Sequence, residues 1–249
     1  MERRLAELHA LVADDEVAGI VCARGGAGAG SLLRGLDIDL LAAHPKVFVG
    51  YSDITFLHQR LNNEGLVTLY GPMAAVEFAS GSYDRESFLG SVGGSGALYS
   101  SGPDELLPLR AGTGEGRLRG GCLSVLAAAA GTPWALEHRG ESTLLFLEDV
   151  DEAPYRIDRL LVQLRESGLL DHVSGIVLGD MKGCSPPLRE AYALEDVILS
   201  ALEGLDVPIA LGLSSGHASG PNLTIPLGVR ARLRCGEEAR FEILEPAVA

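Results

Sequence analysis

The sequence predicts an α/β protein in two parts, an amino-terminal parallel-sheet domain followed by a carboxy-terminal domain of mixed α/β character. Three observations carry this expectation. In the first half, short apolar runs alternate with stretches of helical spacing, the rhythm of a parallel sheet. Between Gly90 and Gly116 the chain turns rich in Gly, Ser and Pro, which reads as a crossover. From Arg119 onward a second series of strands and helices begins, closing on a hairpin around Gly236. The expected division is a nucleophile-bearing domain over 1–98, a linker over 99–116 and a second domain over 117–249.

Taken in order, Leu5, Leu8 and Val12 share one face of an amphipathic helix between Glu2 and Asp15. Val17 to Ala23 reads as a strand opening into Arg24-Gly25-Gly26-Ala27-Gly28-Ala29-Gly30. That glycine density suggests a phosphate loop, but there is no G-x-G-x-x-G and no Lys follows Gly30, so nucleotide binding falls to a minor alternative. What remains is close approach of the backbone to something, with its N–H groups free to donate. A helix is expected from Ser31 to Ala43, then a short strand ending at Gly50, a helix carrying Ile54, Leu57 and Leu61, and a strand from Leu66 to Tyr70. Three strands with none ahead of the first helix make a thin sheet.

In the second half, Arg119-Gly120-Gly121-Cys122 reads as a glycine turn into an Ala/Leu helix. The main strand runs from Ser142 to Leu147 and ends in Glu148-Asp149-Val150-Asp151-Glu152. Asp151 and Glu152 read as a solvated loop. Glu148 abuts the apolar run directly and is the acid expected to be buried and committed to a partner. Tyr155 to Ser167 follows as a helix, Ser174 to Gly179 as a strand and Ala191 to Leu202 as a helix. Pro208 to Leu213 is a strand delivering His217 in a Gly/Ser/Pro loop.

Composition bounds the function. With 249 residues, 47% hydrophobic and 22% charged, the chain is long enough for a substantial core. A net charge of −14 argues against nucleic-acid partners and against anionic membrane surfaces. No apolar run approaches the roughly 20 residues of a membrane span, and the start lacks a signal-peptide core, so the cytoplasm is the expected compartment. Cys22, Cys122, Cys184 and Cys235 are scattered without C-x-x-C pairing, and the six histidines show no short ligand spacing. Neither a metal nor another cofactor is expected.

The chemistry centres on Gly50-Tyr51-Ser52-Asp53-Ile54. Ser52 falls on a sharp strand-to-helix turn, where α/β proteins expose reactive groups and a helix N-terminus favours negative charge. Two readings stand side by side: a nucleophile elbow, or a Ser or Asp that merely caps the helix. The G-x-S-x-G signature is incomplete because Ile54 replaces its second glycine. Ser52, Glu148 and His217 each stand at or just beyond a strand end, and they match in type what a nucleophile, a base and an orienting acid require.

Arg24-Gly25-Gly26 with Gly28, Gly50-Tyr51-Ser52-Asp53-Ile54-Thr55, Gly71-Pro72-Met73, Leu147-Glu148-Asp149 with Tyr155-Arg156-Ile157-Asp158-Arg159, and Gly216-His217 with Pro221-Asn222-Leu223-Thr224 occur in this order. Together they resemble the LD-carboxypeptidase family of serine peptidases, which includes the microcin C immunity peptidases. The resemblance implies a flavodoxin-like N-terminal domain, here truncated, and a barrel-like C-terminal one. It implies Ser52 as nucleophile, His217 as general base and acid, and Glu148 as the residue orienting it. It further implies an oxyanion hole of backbone N–H groups at Asp53 and at Gly26 or Gly25, with Arg24 and Gly25 binding substrate. The implied reaction is hydrolysis of the L,D-peptide bond before a terminal D-alanine in cytoplasmic murein tetrapeptides, by a homodimer acting on a small peptide.

Two alternatives accompany that reading: a microcin-type amidase acting on peptidyl or aminoacyl nucleotide analogues, and a catalytically silent binding protein. The sequence departs from the family at Ala27, where an aromatic residue is usual, and at Cys122, where Asn is expected. The family also starts with a further strand and helix that are absent here. The 249-residue product is therefore expected to be poorly soluble or misassembled, with the missing strand encoded in frame upstream of Met1.

Overall fold

The computed structural model describes residues 2–93, 101, 106–186 and 192–248. Its elements in the first half are α1 (Glu2–Ala13), β1 (Gly19–Val21), α2 (Ile38–Ala43), β2 (Val47–Gly50), α3 (Thr55–Asn63), β3 (Thr68–Tyr70), α4 (Glu77–Ser80) and α5 (Arg85–Val92). The second half contributes β4 (Leu107–Arg110), β5 (Gly112–Cys122), α6 (Leu123–Ala129), β6 (Thr143–Glu148), α7 (Pro154–Glu166), β7 (Val173–Gly179), α8 (Leu194–Ala201), β8 (Ile209–Leu213), β9 (Ile225–Leu227), β10 (Arg230–Cys235) and β11 (Ala239–Ile243).

The first sheet has the order β1-β2-β3-β9. β1, β2 and β3 run parallel, as the alternating pattern predicts, but the sheet has four strands rather than three. The fourth, β9, returns from the far end of the chain and pairs antiparallel with β3, Thr68 opposite Leu227 and Tyr70 opposite Ile225. Helix α1 finds its cover downstream: Val12 is buried, and Leu5 and Leu8 pack against the same core as Leu32, Leu33 and Leu41. The helix expected over Ser31–Ala43 is broken into a 3-10 turn at Gly30–Gly35 and the short α2. Leu36 is extended between them, and the Asp37 carboxylate accepts from Leu40 N at 3.0 Å to start α2 afresh.

The second sheet has seven strands in the order β11-β10-β5-β6-β7-β8-β4. β5 to β8 are parallel, flanked by antiparallel strands on both sides. The sheet curls until β10 neighbours β4, with the Cys235 thiol 3.6 Å from Ile209 O, which makes it barrel-like. Strand alternation sorts the apolar residues. Leu118, Leu144, Phe146 and Phe241 face a core shared with the first sheet, while Leu145 and Leu147 face Ile157, Leu161, Leu164 and Ile198 of the covering helices.

The expected linker over 99–116 needs correction. Residues 107–110 and 112–116 are strand, belonging to β4 and β5, and 94–100 and 102–105 lie outside the described residues. The glycines there mark close strand approach. A Cβ on Gly114 would meet Ser174 O at 1.9 Å and one on Gly116 would meet Ser142 O at 2.4 Å. Likewise Gly120 and Gly121 belong to β5, which runs straight to Cys122 before α6 begins.

Candidate active site

The carboxyl ends of β2, β6 and β8 converge on one cleft, and they carry Ser52, Glu148 and His217. β2 ends at Gly50, and Ser52 follows with φ 64°, a left-handed conformation that a serine adopts only where the surroundings enforce it. The strand end that leads into this turn is anchored. His58, fully buried in α3, reaches back with Nε2 to Gly50 O at 2.8 Å while its Nδ1 meets Thr68 Oγ1 at 2.8 Å. A carbonyl only accepts, so Nε2 carries a proton. Burial lowers its pKa to about 4, against the raising effect of the Gly50 bond.

Glu148 ends β6 at 1% exposure. Its Oε2 accepts from both His217 Nδ1 (2.8 Å) and His217 N (3.0 Å), and its Oε1 accepts from the Tyr70 hydroxyl at 2.5 Å. A buried carboxylate with three donors is held in one orientation. The imidazole is thereby fixed as the Nδ1–H tautomer, leaving Nε2 with its lone pair exposed to the cleft. Burial alone pulls the His217 pKa down. The hydrogen bond and charge of Glu148, with Asp149 and Glu77 adding to them, outweigh burial and raise it. The His217 loop is pinned by Asn222, whose Oδ1 accepts from Gly216 N at 3.0 Å. Tyr51 packs edge-on against the His217 ring at 5.0 Å, and its hydroxyl donates to the buried Glu77 at 2.7 Å.

Arg24, Gly25, Gly26, Ser52 and His217 line the cleft together with Met73, Ala75 and Val76, enclosing about 240 Å³. Among the described residues the Ser52 hydroxyl makes no hydrogen bond, and catalytic hydrogen bonds are commonly long until substrate binds. The Asp53 carboxylate accepts from Ala29 N at 2.8 Å, tying the glycine loop to the turn of Ser52. Gly26 sits at φ 105°, and among the described residues its amide and that of Gly25 have no partner. A second cavity of about 380 Å³ lies at the amino ends of β1 to β3, walled mainly by apolar side chains such as Val12, Ile20, Phe48 and Leu69.

Of the residues singled out from the sequence, Arg24, Gly25, Gly26, Ser52 and His217 line this cleft, Glu148 is buried behind His217, and Asp53 follows Ser52 with its carboxylate turned to Ala29 N. Tyr70, Tyr51 and Glu77 escaped sequence reading. Tyr70 ends an apolar strand and looks like core, and Glu77 carries no motif. Asp149 is buried for another purpose: it accepts from Ser124 N at 2.7 Å and caps α6. Among the described residues no three His, Cys, Asp or Glu side chains are grouped to hold a metal ion, the four cysteines are free, and no helix is long and apolar enough to cross a membrane.

A serine on a strained strand-to-helix turn, sharing a cleft with an imidazole oriented by a buried carboxylate, is the arrangement of a serine hydrolase. Comparison with known proteins narrows the class. The LD-carboxypeptidase N-terminal domain matches residues 1–71 and the LD-carboxypeptidase C-terminal domain matches 115–233. A probable murein peptide carboxypeptidase of Bacillus subtilis is 39% identical over 242 residues, covering 95% of this chain and 75% of that protein. The crystal structure of muramoyltetrapeptide carboxypeptidase from Oxalobacter formigenes superposes with a TM-score of 0.86 at 30% identity, covering 98% and 85% of the two chains. The structure of MccF in complex with glutamyl sulfamoyl guanosine gives 0.84 at 26% identity, covering 99% and 81%. The chain belongs to the LD-carboxypeptidase family, and it is a serine-type carboxypeptidase.

Proposed function

We propose that the protein hydrolyses the L,D-peptide bond before the terminal D-alanine of murein tetrapeptides in the cytoplasm, through a triad of Ser52, His217 and Glu148. The observation that carries the reading is the shared use of Glu148: one carboxylate, at the end of β6, receives both the ring N–H and the main-chain N–H of His217. With Nδ1 so occupied, Nε2 is the base that takes the Ser52 proton as the hydroxyl attacks the scissile carbonyl. The resulting imidazolium is stabilised by Glu148 and returns its proton to the leaving amine of D-alanine. Water then repeats the cycle to release the acyl group. Negative charge on the tetrahedral oxygen is received by the N–H groups of Gly26 and Asp53, donors fixed before the reaction begins. Arg24, on the cleft wall, offers a guanidinium for the terminal carboxylate that a carboxypeptidase must recognise.

The relatives named for murein peptides favour this substrate, and the likeness to MccF with a bound aminoacyl nucleotide analogue keeps a second reading open: an amidase of peptidyl nucleotides. Parallel assays on a murein tetrapeptide and on an aminoacyl sulfamoyl nucleoside test the choice. Release of D-alanine from the tetrapeptide, with the nucleoside cleaved far more slowly, is the expected result. The reverse preference would transfer the assignment to the second substrate.

A further inference from the structure

The Tyr70 hydroxyl occupies an unusual junction. It comes from the last residue of β3, in the four-stranded sheet, and is completely buried. It accepts from the backbone N–H of Ser52 at 3.2 Å and donates to Glu148 Oε1, in the seven-stranded sheet, at 2.5 Å. One oxygen thus touches the turn that presents the nucleophile and the carboxylate that orients the base. The ring is clamped against Phe146, His58 and Tyr51, with centroids 5.4, 5.5 and 6.1 Å away, so the hydroxyl has little freedom to leave.

We propose that Tyr70 is a positioning residue for the hydrolytic reaction, one hydroxyl that locks the Ser52 turn and the Glu148 carboxylate into register across the two sheets. The inference rests on the triad assignment above. Its chemistry follows from the direction of the two bonds. The only proton on the phenol points at Glu148 and leaves the oxygen's lone pair for Ser52 N–H, so neither contact can be made at the other's expense. Burial, with the neighbouring Glu148 charge, keeps the phenol protonated well above its ordinary range, and the donor is present at every working pH. Sharing the carboxylate's charge with Tyr70 also tempers the hold of Glu148 on the imidazolium, which moderates the basicity of His217.

The test is Tyr70→Phe, which keeps the ring and its packing and removes only the hydroxyl. Assays run well below each variant's melting temperature keep lost fold apart from lost catalysis. The expected result is a fall in kcat of roughly ten- to a hundredfold, the size of one lost hydrogen bond to a charged group. KM should be little changed, and the acid limb of the kcat/KM profile should move to higher pH, because a carboxylate with one donor fewer holds the imidazolium proton more tightly. In a Glu148→Gln background the same substitution should cost clearly less and leave the acid limb unmoved, because only the contact to Ser52 N–H and a bond to a neutral amide are then lost. An acid limb unmoved by Tyr70→Phe alone, or equal losses in both backgrounds, would overturn the inference. Ser52→Ala assayed alongside separates the two levels: an active Ser52→Ala retires the triad itself, whereas an inactive one beside an unaltered Tyr70→Phe retires only the role of Tyr70.

Discussion

Gly25→Ala tests how closely the glycine loop is fitted to the nucleophile. A Cβ at Gly25 would lie 2.9 Å from Ser52 Cβ and 3.1 Å from Ser52 Oγ. Carbon atoms are comfortable at about 3.5–4.0 Å, so either the serine or the loop must retreat by roughly half an ångström to one ångström. Gly25 is not among the glycines with positive φ, so alanine suits its backbone and the folding cost should be small. A misplacement of about 1 Å at a reacting group costs on the order of a hundredfold in rate. The variant should therefore melt near the wild type yet turn over murein tetrapeptide about a hundred times more slowly, and react with a fluorophosphonate with a similar deficit. Wild-type turnover and labelling in a well-folded Gly25→Ala would refute the claim that this loop and Ser52 form one fitted surface.

Gly216→Ala should be worse in both respects. Gly216 has φ 85°, and its Cβ would meet Glu148 Cδ at 2.6 Å and Oε2 at 2.9 Å, so left-handed strain of about 1–2 kcal/mol adds to a collision with the orienting carboxylate; a melting curve and kcat close to wild type would contradict this. Because Glu148 raises the His217 pKa and the base must be neutral to act, kcat/KM should fall with acidification along a limb centred above 6.5, the ordinary histidine value. A pH–rate profile whose acid limb lies below that value would count against His217 as the base. For His58 the sign is opposite: its folded pKa is lowered to about 4, so the neutral ring's contribution is present above about 6.5 and is lost as pH falls toward 4. The difference amounts to about 3 kcal/mol. Urea unfolding across that range should report the loss, and a flat stability would show that His58 is not held neutral at Gly50.

The catalytic candidates could be read from the sequence because each terminates an apolar strand. A polar residue following Val47–Gly50, Leu144–Leu147 or Ile209–Leu213 falls where parallel strands end, and such ends of separate strands share a rim. The parallel pairing of β1 to β3 was legible for the same reason. The three-residue strand β9 was not, since Ile225-Pro226-Leu227 carries too little periodicity and a proline, and only its pairing with β3 makes it a strand. The glycines of β5 misled in the other direction, resembling a linker when they are required by the nearness of neighbouring backbone. Tyr70 shows a different limit. Its hydroxyl matters only because Ser52 N and Glu148 arrive from elements far apart in the chain, and no local pattern distinguishes it from a core aromatic.

The central claim, that Ser52 is the nucleophile of this cleft, is tested most directly by mapping the covalent adduct formed with a fluorophosphonate. The expected result is a single adduct on the peptide containing Ser52, blocked by murein tetrapeptide, with both adduct and hydrolysis absent from a Ser52→Ala variant that melts like the wild type. An adduct on another residue, or hydrolysis surviving in Ser52→Ala, would contradict it.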